Sequence, residues 1–488
     1  MVLAASACTS DDPEGQEGTT MTSVERPTGP AAELGGPLEG GDGMFVARAD
    51  EGPSLDDAGY TEAEYTAAGT ATSYTSAQDP LPSDGMYELE PASEADYVTR
   101  IIVRRPADPS AFNGTVVQEW LNVSAGADSS PDYTYLADEL LRGGYAWVGV
   151  SAQRVGVEGG DIAVAVPNAE DAGLGRGLRN NDPERYGSLR HPGDAFSYDI
   201  FTQVGRALWS PGAVNPLEGL EVQELLAVGE SQSAFALTTY INGVQPLTGL
   251  FDGFLVHSRG RSGAPLGEPD EGLSIAAVFG GDATTMRTDG EAPVIVVETE
   301  TDVVGLLSYL QARQPDDDRF RLWEIAGTAH ADLFQIGERA ETLGCAEPIN
   351  NGQQVFVLRA ALRHLRMWAR DGTSPPIADR LTVDDTGSSP ILQLDDVGNA
   401  RGGIRTPVLD APVDRLTGFA APGSPIVCIL SGSTTPLSAE QLAERYSSRD
   451  DYLSQYETAT DAMIDAGFAV EDDRDQMLSW TSPDRIAG

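Results

Sequence analysis

The sequence contains no lysine, so all 31 of its basic residues are arginines, and they stand against 76 acidic residues. The resulting formal net charge of −45 repels the phosphate backbone of nucleic acids and the surface of anionic membranes. Nucleic-acid binding is therefore a poor hypothesis for this chain. A saline habitat and a GC-rich coding sequence, in which arginine replaces lysine, are two explanations that fit this composition.

Long apolar runs are also missing, and no stretch approaches the length that a transmembrane helix needs. The N-terminus carries small residues before Cys8, a pattern typical of the end of a bacterial lipoprotein signal, where the cysteine becomes lipidated. Residues 1–42 are interpreted as a signal remnant followed by a disordered acidic tether. This predicts an exported bacterial protein, either extracellular or attached to a membrane only through a lipid on Cys8. The alternative is a frayed N-terminus with a chance cysteine.

Cysteine is scarce, and besides Cys8 only Cys345 and Cys428 occur. If the chain is exported, the oxidising compartment favours a disulfide between these two residues. Two buried free thiols are the alternative.

Short apolar strands alternate with helical segments as far as residue 375, which predicts an α/β fold with a mainly parallel sheet and helices on both faces. Residues 43–375 are assigned to this core, and residues 376–488 to a C-terminal extension that packs on it. Strands are predicted over 86–90, 97–104, 115–121, 145–150, 224–228, 253–256, 293–297 and 321–325, and in the extension over 381–394 and 402–408. Helices are predicted over 133–141, 194–208, from 233, near 304–312 and over 353–370, and in the extension over 438–447 and 450–466.

The segment Gly229-Glu230-Ser231-Gln232-Ser233 follows a short apolar strand and precedes a helix-forming run. Such a pattern predicts a nucleophile elbow, in which a serine lies on a sharp strand-to-helix turn with its hydroxyl exposed. The usual motif is G-x-S-x-G, and Ser233 takes the place of the second glycine. The flanking residues must be small because the helix packs close to the strand, and serine has only one heavy atom beyond Cβ. Ser231 is therefore predicted to be the nucleophile.

A nucleophilic serine needs a base that removes its proton, and in proteins with this elbow the histidine follows the serine and the acid. The chain has four histidines. His191 and His257 come too early in the sequence, and His364 lies within a helix among apolar residues. His330, in a loop of small residues just after a strand, is the predicted base.

The acid that orients the base should follow the preceding strand, where Asp302 is the favoured residue and Glu300 its competitor. The oxyanion hole is expected to use the backbone N–H of Gln232 and one N–H from the loop after strand 115–121. Asn122 and Val123 are the candidates in that loop, and the sequence does not separate them.

Several segments together resemble a bacterial group known as "alpha/beta hydrolase domain-containing" proteins, whose elbow reads S-Q-S. They are 119–122, 189–194, 229–234, 251–260, 300–302, 326–330, and Cys345 with Asn350. The resemblance extends from about Pro37 to the C-terminus. It implies an α/β-hydrolase fold and a triad of Ser231, Asp302 and His330, and in this group Ser233 is the usual residue.

Three residues near the predicted strand ends, Glu300, His257 and Arg259, are candidates for the wall of the substrate pocket, and Arg154 in the loop after strand 145–150 has the same standing. For His257, Arg259 and Arg154 the alternative is a structural role, such as a salt bridge, and for Glu300 it is a side chain that faces water.

Taken together, these features predict a serine hydrolase that cleaves a small or medium carboxylic ester through an acyl-enzyme. This chemistry needs neither a metal ion nor an organic cofactor. An amidase or peptidase with the same triad is one alternative. A catalytically inactive, surface-anchored binding protein on a hydrolase scaffold is the other, because fold alone does not establish activity.

Overall fold

The computed structural model describes residues 28–47, 52–169, 171–273 and 278–487. Cys8, the predicted lipidation site, lies outside these residues, and its modification stays a prediction. The predicted tether is too long, because Glu33–Gly35 inside it pairs with a neighbouring strand at the edge of the sheet. The physical reason is the apolar side chain of Leu34, which is buried there.

Across the described residues, nine strands form one sheet in the order β1-β2-β3-β5-β4-β6-β7-β8-β9. The strands are β1 (Glu33–Gly35), β2 (Tyr60–Thr75), β3 (Glu90–Pro106), β4 (Thr115–Trp120), β5 (Ala146–Val150), β6 (Glu224–Glu230), β7 (Gly253–His257), β8 (Val294–Thr299) and β9 (Phe320–Ile325). Pairing is antiparallel from β1 to β5 through β2 and β3, and parallel from β5 to β9. The predicted α/β architecture with a mainly parallel sheet is confirmed.

The antiparallel edge differs from the prediction. The segment over 86–90 forms no strand before Glu90, and the partner of β3 is instead β2, which pairs with it along its whole length. The alternation in β2 is carried mainly by alanine, threonine and tyrosine, with Tyr65, Ala67 and Ala71 buried. Alanine and threonine differ little in hydropathy, so the period of two is weak in the sequence.

Each central strand contributes to two cores, because successive side chains point to opposite faces of the sheet. In β6, Leu225 and Ala227 belong to one core, while Leu226 and Val228 belong to the other. The first core includes residues of helices Ser197–Trp209 and Gln232–Thr239, and the second includes residues of Pro131–Gly143 and Gln354–Asp371.

The other helices are shorter, apart from one in the C-terminal part. The α-helices are Arg154–Glu158, Leu178–Asn181, Pro183–Tyr186, Gln245–Thr248, Glu300–Val304, Leu333–Ile336, Pro407–Asp410, Ile426–Ser431, Ala439–Arg445, Arg449–Asp465 and Arg474–Ser479, with a π-helix at Tyr240–Val244. The 3₁₀ turns are Pro109–Ala111, Asp194–Phe196, Tyr309–Ala312, Gly337–Thr342, Glu471–Asp473 and Pro483–Arg485. None of the helices in the described part of the chain is long and apolar enough to cross a membrane.

Two local predictions are wrong. The helix expected near 304–312 is split, because helix Glu300–Val304 stops at Gly305 and only a 3₁₀ turn follows at Tyr309–Ala312. In the C-terminal part, the prediction of strands over 381–394 and 402–408 is wrong, because the first segment is strand only in the two-residue ladder of β10 (Val383–Asp384) and β11 (Ile391–Leu392), and the second contains only isolated bridges at Gly402 and Ile404.

A proline at the first turn starts the helix Pro407–Asp410 at the place where the second of those strands should continue. A further antiparallel pair, β12 (Asp414–Thr417) with β13 (Ser433–Pro436), is absent from the prediction.

The C-terminal segments pack on the sheet as well as on each other. Met463, Val470 and Met477 join the same core as helix Gln354–Asp371. The predicted disulfide joins Cys345 to Cys428 and so links the segment after β9 to the C-terminal part. Disulfides persist in oxidising compartments, so this bond is compatible with the predicted export. Export and the division of the chain at residue 375 stay predictions.

Candidate active site

Ser231 lies on a sharp turn between β6 and helix Gln232–Thr239. Its backbone adopts φ 57° and ψ −118°, a strained combination for a residue with a side chain. A Cβ on Gly229 would lie 2.9 Å from Cδ1 of Leu237 and 3.0 Å from Cβ of Ser233. The helix therefore approaches the strand so closely that residue 229 must be glycine and residue 233 must be small.

The loops after β8 and β9 bring an acid and a histidine to this turn. Nε2 of His330 lies 2.8 Å from Oγ of Ser231, and Nδ1 of His330 lies 2.7 Å from Oδ1 of Asp302. Because both loops leave the carboxyl ends of parallel strands, they meet above the same edge of the sheet as the elbow. Ser231, His330 and Asp302 thus form one hydrogen-bonded chain.

The second oxygen of Asp302 is held by three donors. Oδ2 accepts hydrogen bonds from the backbone N–H and the hydroxyl of Thr299, each at 2.7 Å, and from Oγ of Ser258 at 2.8 Å. Sequence reasoning missed Ser258, although its position just after the end of β7, beside β8, was a usable signal. These contacts leave Oδ1 free to orient the imidazole.

The charges of this pair support each other. Burial alone would raise the pKa of Asp302, but the charge of His330 and the hydrogen bonds from His330 and Thr299 hold that pKa below its usual range. Burial alone would lower the pKa of His330, but the charge of Asp302, the hydrogen bond to it and the charge of Glu230 raise that pKa above its usual value. The buried site therefore stabilises a protonated imidazole next to an ionised carboxylate.

Glu300, the competing acid, is engaged elsewhere. Its Oε1 accepts the backbone N–H of Gly327 at 2.6 Å, and its Oε2 accepts the backbone N–H of Gly418 at 2.9 Å. Glu300 therefore ties the loop after β9 to the C-terminal part of the chain and does not contact His330.

The two backbone donors for an oxyanion can now be distinguished. The N–H of Asn122 donates to the carbonyl of Ser129 at 2.9 Å, so it is already used. Within the described residues, the N–H of Val123 and the N–H of Gln232 have no acceptor, and both residues line the same cavity. Val123, not Asn122, fits the second donor.

Glu230 is a functional candidate that sequence reasoning did not single out. Its side chain is almost completely buried, with Oε1 3.5 Å from Nε2 of His330, and its Oε2 accepts a hydrogen bond from Nδ2 of Asn122 at 3.3 Å. Burial raises the pKa of Glu230 to about 7, although the charges of His330 and His257 oppose that shift. The sequence signal that could have identified this residue is its position inside the elbow, between Gly229 and Ser231.

Glu300, His257 and Arg259, the other pocket candidates, lie in the interior. Their exposed fractions are 1%, 0% and 0%. Nδ1 of His257 pairs with Oδ1 of Asp132 at 3.0 Å, and Nη2 of Arg259 donates to the carbonyl of Thr284 at 2.6 Å. The contacts of His257 and Arg259 match the structural alternative, because each residue satisfies buried polar groups, and the burial of Glu300 excludes a side chain that faces water.

A cavity of about 520 Å³ opens beside the elbow. Its walls include Val123, Gln232 and Arg154, so this fourth pocket candidate shares a cavity with the residue that follows Ser231. A second, mostly apolar cavity of about 480 Å³ is lined by residues that include Val164 and Val166, which follow Ile162 of the first cavity in the chain. Among the described residues, no cluster of three or more His, Cys, Asp or Glu side chains is arranged to hold a metal ion.

Comparison with known proteins gives a family and several distant structural likenesses. The family model described as "Alpha/beta hydrolase domain" matches residues 34–479. Similar solved structures include a serine hydrolase without a lid from Xanthomonas campestris, 12% identical, with a TM-score of 0.30 over 62% of this chain and 94% of that one. Fungal esterases from Rhizomucor miehei are 12% identical, with a TM-score of 0.31 over 62% of this chain and 84% of theirs.

A glucuronoyl esterase from Solibacter usitatus is 10% identical, with a TM-score of 0.26 over 62% of this chain and 83% of that one. No curated protein matches the chain. Likenesses at these identities and TM-scores say nothing about which substrate this chain accepts.

Proposed function

Since the chain belongs to the alpha/beta hydrolase domain family, whose model spans residues 34–479, we propose that it is a serine hydrolase that cleaves carboxylic esters through an acyl-enzyme. The observation that carries this proposal is the hydrogen-bonded chain from Ser231 through His330 to Asp302, with 2.8 and 2.7 Å between the paired atoms. These are the distances at which a serine, a base and an orienting acid act together.

In the first half of the reaction, Oγ of Ser231 attacks the acyl carbonyl while Nε2 of His330 accepts the hydroxyl proton. Asp302 holds Nδ1–H of the imidazole, which fixes the tautomer and stabilises the imidazolium. The oxyanion forms where the N–H groups of Gln232 and Val123 can donate to it. Collapse of the tetrahedral intermediate expels the alcohol, which takes the proton from His330.

In the second half, water enters and gives a proton to Nε2 of His330 as its oxygen attacks the acyl carbonyl of the ester on Ser231. The second tetrahedral intermediate breaks the bond to Oγ, and His330 returns the proton to Ser231. The acid product leaves, and the enzyme regains its starting state.

Labelling with a fluorophosphonate probe tests the proposal. The native protein should react covalently, since the probe modifies only an activated serine, while Ser231→Ala should not react. Ser233→Ala is the matched control, because it removes a buried hydroxyl two residues away and leaves the nucleophile in place. A folded native protein that resists the probe would contradict the proposal and favour the inactive binding protein.

Hydrolysis of p-nitrophenyl esters and of the matching anilides then separates an esterase from an amidase. We expect turnover of the esters, with kcat reduced on the order of 10⁴- to 10⁶-fold in Ser231→Ala. Faster cleavage of the anilides would assign the triad to amide hydrolysis instead.

A further inference from the structure

The cavity beside the elbow contains the donors that we assign to the oxyanion, and it also contains a positive charge. Val123 and Gln232 line it on the side of the nucleophile, and Arg154 lines it together with apolar residues such as Ile162 and Leu273. An ester whose carbonyl oxygen meets those donors therefore lies in the same cavity as Arg154.

Arg154 forms no ion pair within the described residues. It is the first residue of helix Arg154–Glu158, it is half-buried, and its backbone N–H donates to Oδ1 of Asp194 at 2.7 Å. Among the described residues, its guanidinium donates only to the carbonyl of Gly159, which is 3.4 Å from Nη1. Most of the hydrogen-bonding capacity of this guanidinium is thus unused.

The nearest carboxylates are occupied by other donors. Asp194 accepts from Oγ of Ser197 at 3.0 Å and from the N–H of Leu273 at 2.7 Å, in addition to the N–H of Arg154. Glu158 pairs with Arg179 at 2.7 Å. Asp161 also lines the cavity, but its side chain is exposed and lies more than 4.0 Å from any basic group of the described residues.

With 76 acidic residues against 31 arginines, carboxylates occupy many of the guanidinium groups in this chain. The buried Arg100 pairs with both Glu64 and Asp128, for example. A guanidinium fork matches a carboxylate through two parallel hydrogen bonds, and such charge-assisted bonds are strong in a partly dehydrated cavity.

We propose that Arg154 binds a carboxylate on the substrate, so that the preferred substrates are esters of molecules that carry a second, free carboxyl group. This inference rests on the proposed function and names the substrate class of the same site. A monoanion fits better than a phosphate dianion because, among the described residues that line this cavity, Arg154 is the only base and Asp161 opposes any further negative charge.

Ligand binding to the Ser231→Ala protein, measured by calorimetry, tests the site without turnover. One pair of ligands places the carboxylate on the acyl side, 4-nitrophenyl hydrogen adipate against 4-nitrophenyl hexanoate. The other pair places it on the alcohol side, 4-carboxyphenyl butyrate against phenyl butyrate. In at least one pair the anionic ester should bind about 10- to 100-fold more tightly than the neutral one.

Adding Arg154→Gln to the Ser231→Ala protein should bring the ratio of the affinities for the anionic and neutral esters to about one. Adding Arg154→Lys should keep part of the preference, since lysine retains the charge but loses the guanidinium fork. Arg339→Gln is the matched control. Arg339 lines the second cavity and likewise forms no ion pair among the described residues, so its removal should leave the preference intact. Thermal unfolding followed by circular dichroism verifies that each variant is folded.

Equal affinity for the anionic and neutral members of both pairs would contradict the proposal that Arg154 binds a substrate carboxylate. A preference that survives Arg154→Gln would contradict it as well. Native protein that hydrolyses neutral esters and shows no Arg154-dependent preference would leave the hydrolase proposal standing without this substrate class. Arg154-dependent binding in a protein that hydrolyses no ester would support the carboxylate site and contradict the hydrolase proposal.

Discussion

Glu230 places a carboxyl group beside the histidine of the proposed triad, so the protonation states of the two residues depend on each other. The pKa of Glu230 is raised to about 7, chiefly by burial, and its charge contributes to the raised pKa of His330. The neutral form of Glu230 therefore dominates below neutral pH, and the carboxylate dominates above it. The carboxylate form makes His330 easier to protonate.

Replacing Glu230 with glutamine should shift the pH profile of ester hydrolysis. The substitution removes a carboxyl group that is partly ionised near pH 7 and lies 3.5 Å from Nε2 of His330, so the pKa of His330 falls and the acidic limb of kcat/KM moves to lower pH. Initial rates measured between about pH 5 and 9 follow this limb. Glu230→Gln with an acidic limb unchanged from that of the native protein would show that Glu230 does not tune His330.

At the scale of the element, the elbow depends on close contact between β6 and helix Gln232–Thr239. Ser233 fits at the contact, but its hydroxyl has no hydrogen-bond partner among the described residues and the residue is completely buried. An unsatisfied buried hydroxyl costs free energy, since it has lost its hydrogen bonds to water.

We therefore expect Ser233→Ala to raise the free energy of unfolding by about 1 kcal/mol. Gly229→Ala should lower it instead, because the added Cβ would lie 2.9 Å from Cδ1 of Leu237. Urea denaturation of the native protein and both variants measures these changes. A loss of stability in Ser233→Ala would show that the serine hydroxyl is satisfied in solution.

The individual strands also show which elements can be predicted from the local sequence pattern. Strands β6 and β8 contain continuous apolar runs, β9 is apolar apart from Arg321 and Glu324, and all three have buried side chains on both faces. The sequence places them within about two residues. Strand β2 and the short ladder of β12 with β13 are missed. They contain mainly alanine, threonine, serine and charged residues, and their pairing partners, not their own hydropathy, hold them in place.

At the scale of the whole molecule, several buried groups hold more protons in the folded chain than in the unfolded one. Burial is the main cause that raises the pKa of Glu230 and that of Glu300 to about 7. The pKa values of His257 and His330 are also raised, by their carboxylate partners against the effect of burial. A group whose pKa is higher in the folded state destabilises the fold as pH rises through that range.

The free energy of unfolding should therefore fall by about 1 to 2 kcal/mol between about pH 6.5 and 8. The pKa values of His191 and His364 are lowered by burial and act in the opposite direction, but only below about pH 6.5, the usual value for histidine. The lowered pKa of Asp302 affects stability only at acidic pH. Denaturation at constant ionic strength across this range measures the change, and stability that rises with pH would contradict it.

Much of the site could be predicted because its parts follow one another in a recognisable local order. The elbow around Ser231, the late histidine His330 and the acid after β8 each depend on a few neighbouring residues. The choice between Asp302 and Glu300 does not. Glu300 is held by Gly418, which is 118 residues away in the sequence, and no local pattern contains that contact.

The sequence by itself determined the alternation of strands and helices, the strand-to-helix turn at Ser231 and the order of acid and histidine after it. These features follow from side-chain size, hydropathy period and backbone preference within a few residues. Only the tertiary structure decided that Oδ1 of Asp302 meets Nδ1 of His330 and that Glu230 lies beside that histidine. It alone also decided that, among the described residues, the N–H of Val123 has no acceptor while that of Asn122 is used, and that Arg154 forms no ion pair. The reason is physical: hydrogen-bond satisfaction and burial depend on which distant segments meet, and folding alone brings those segments together.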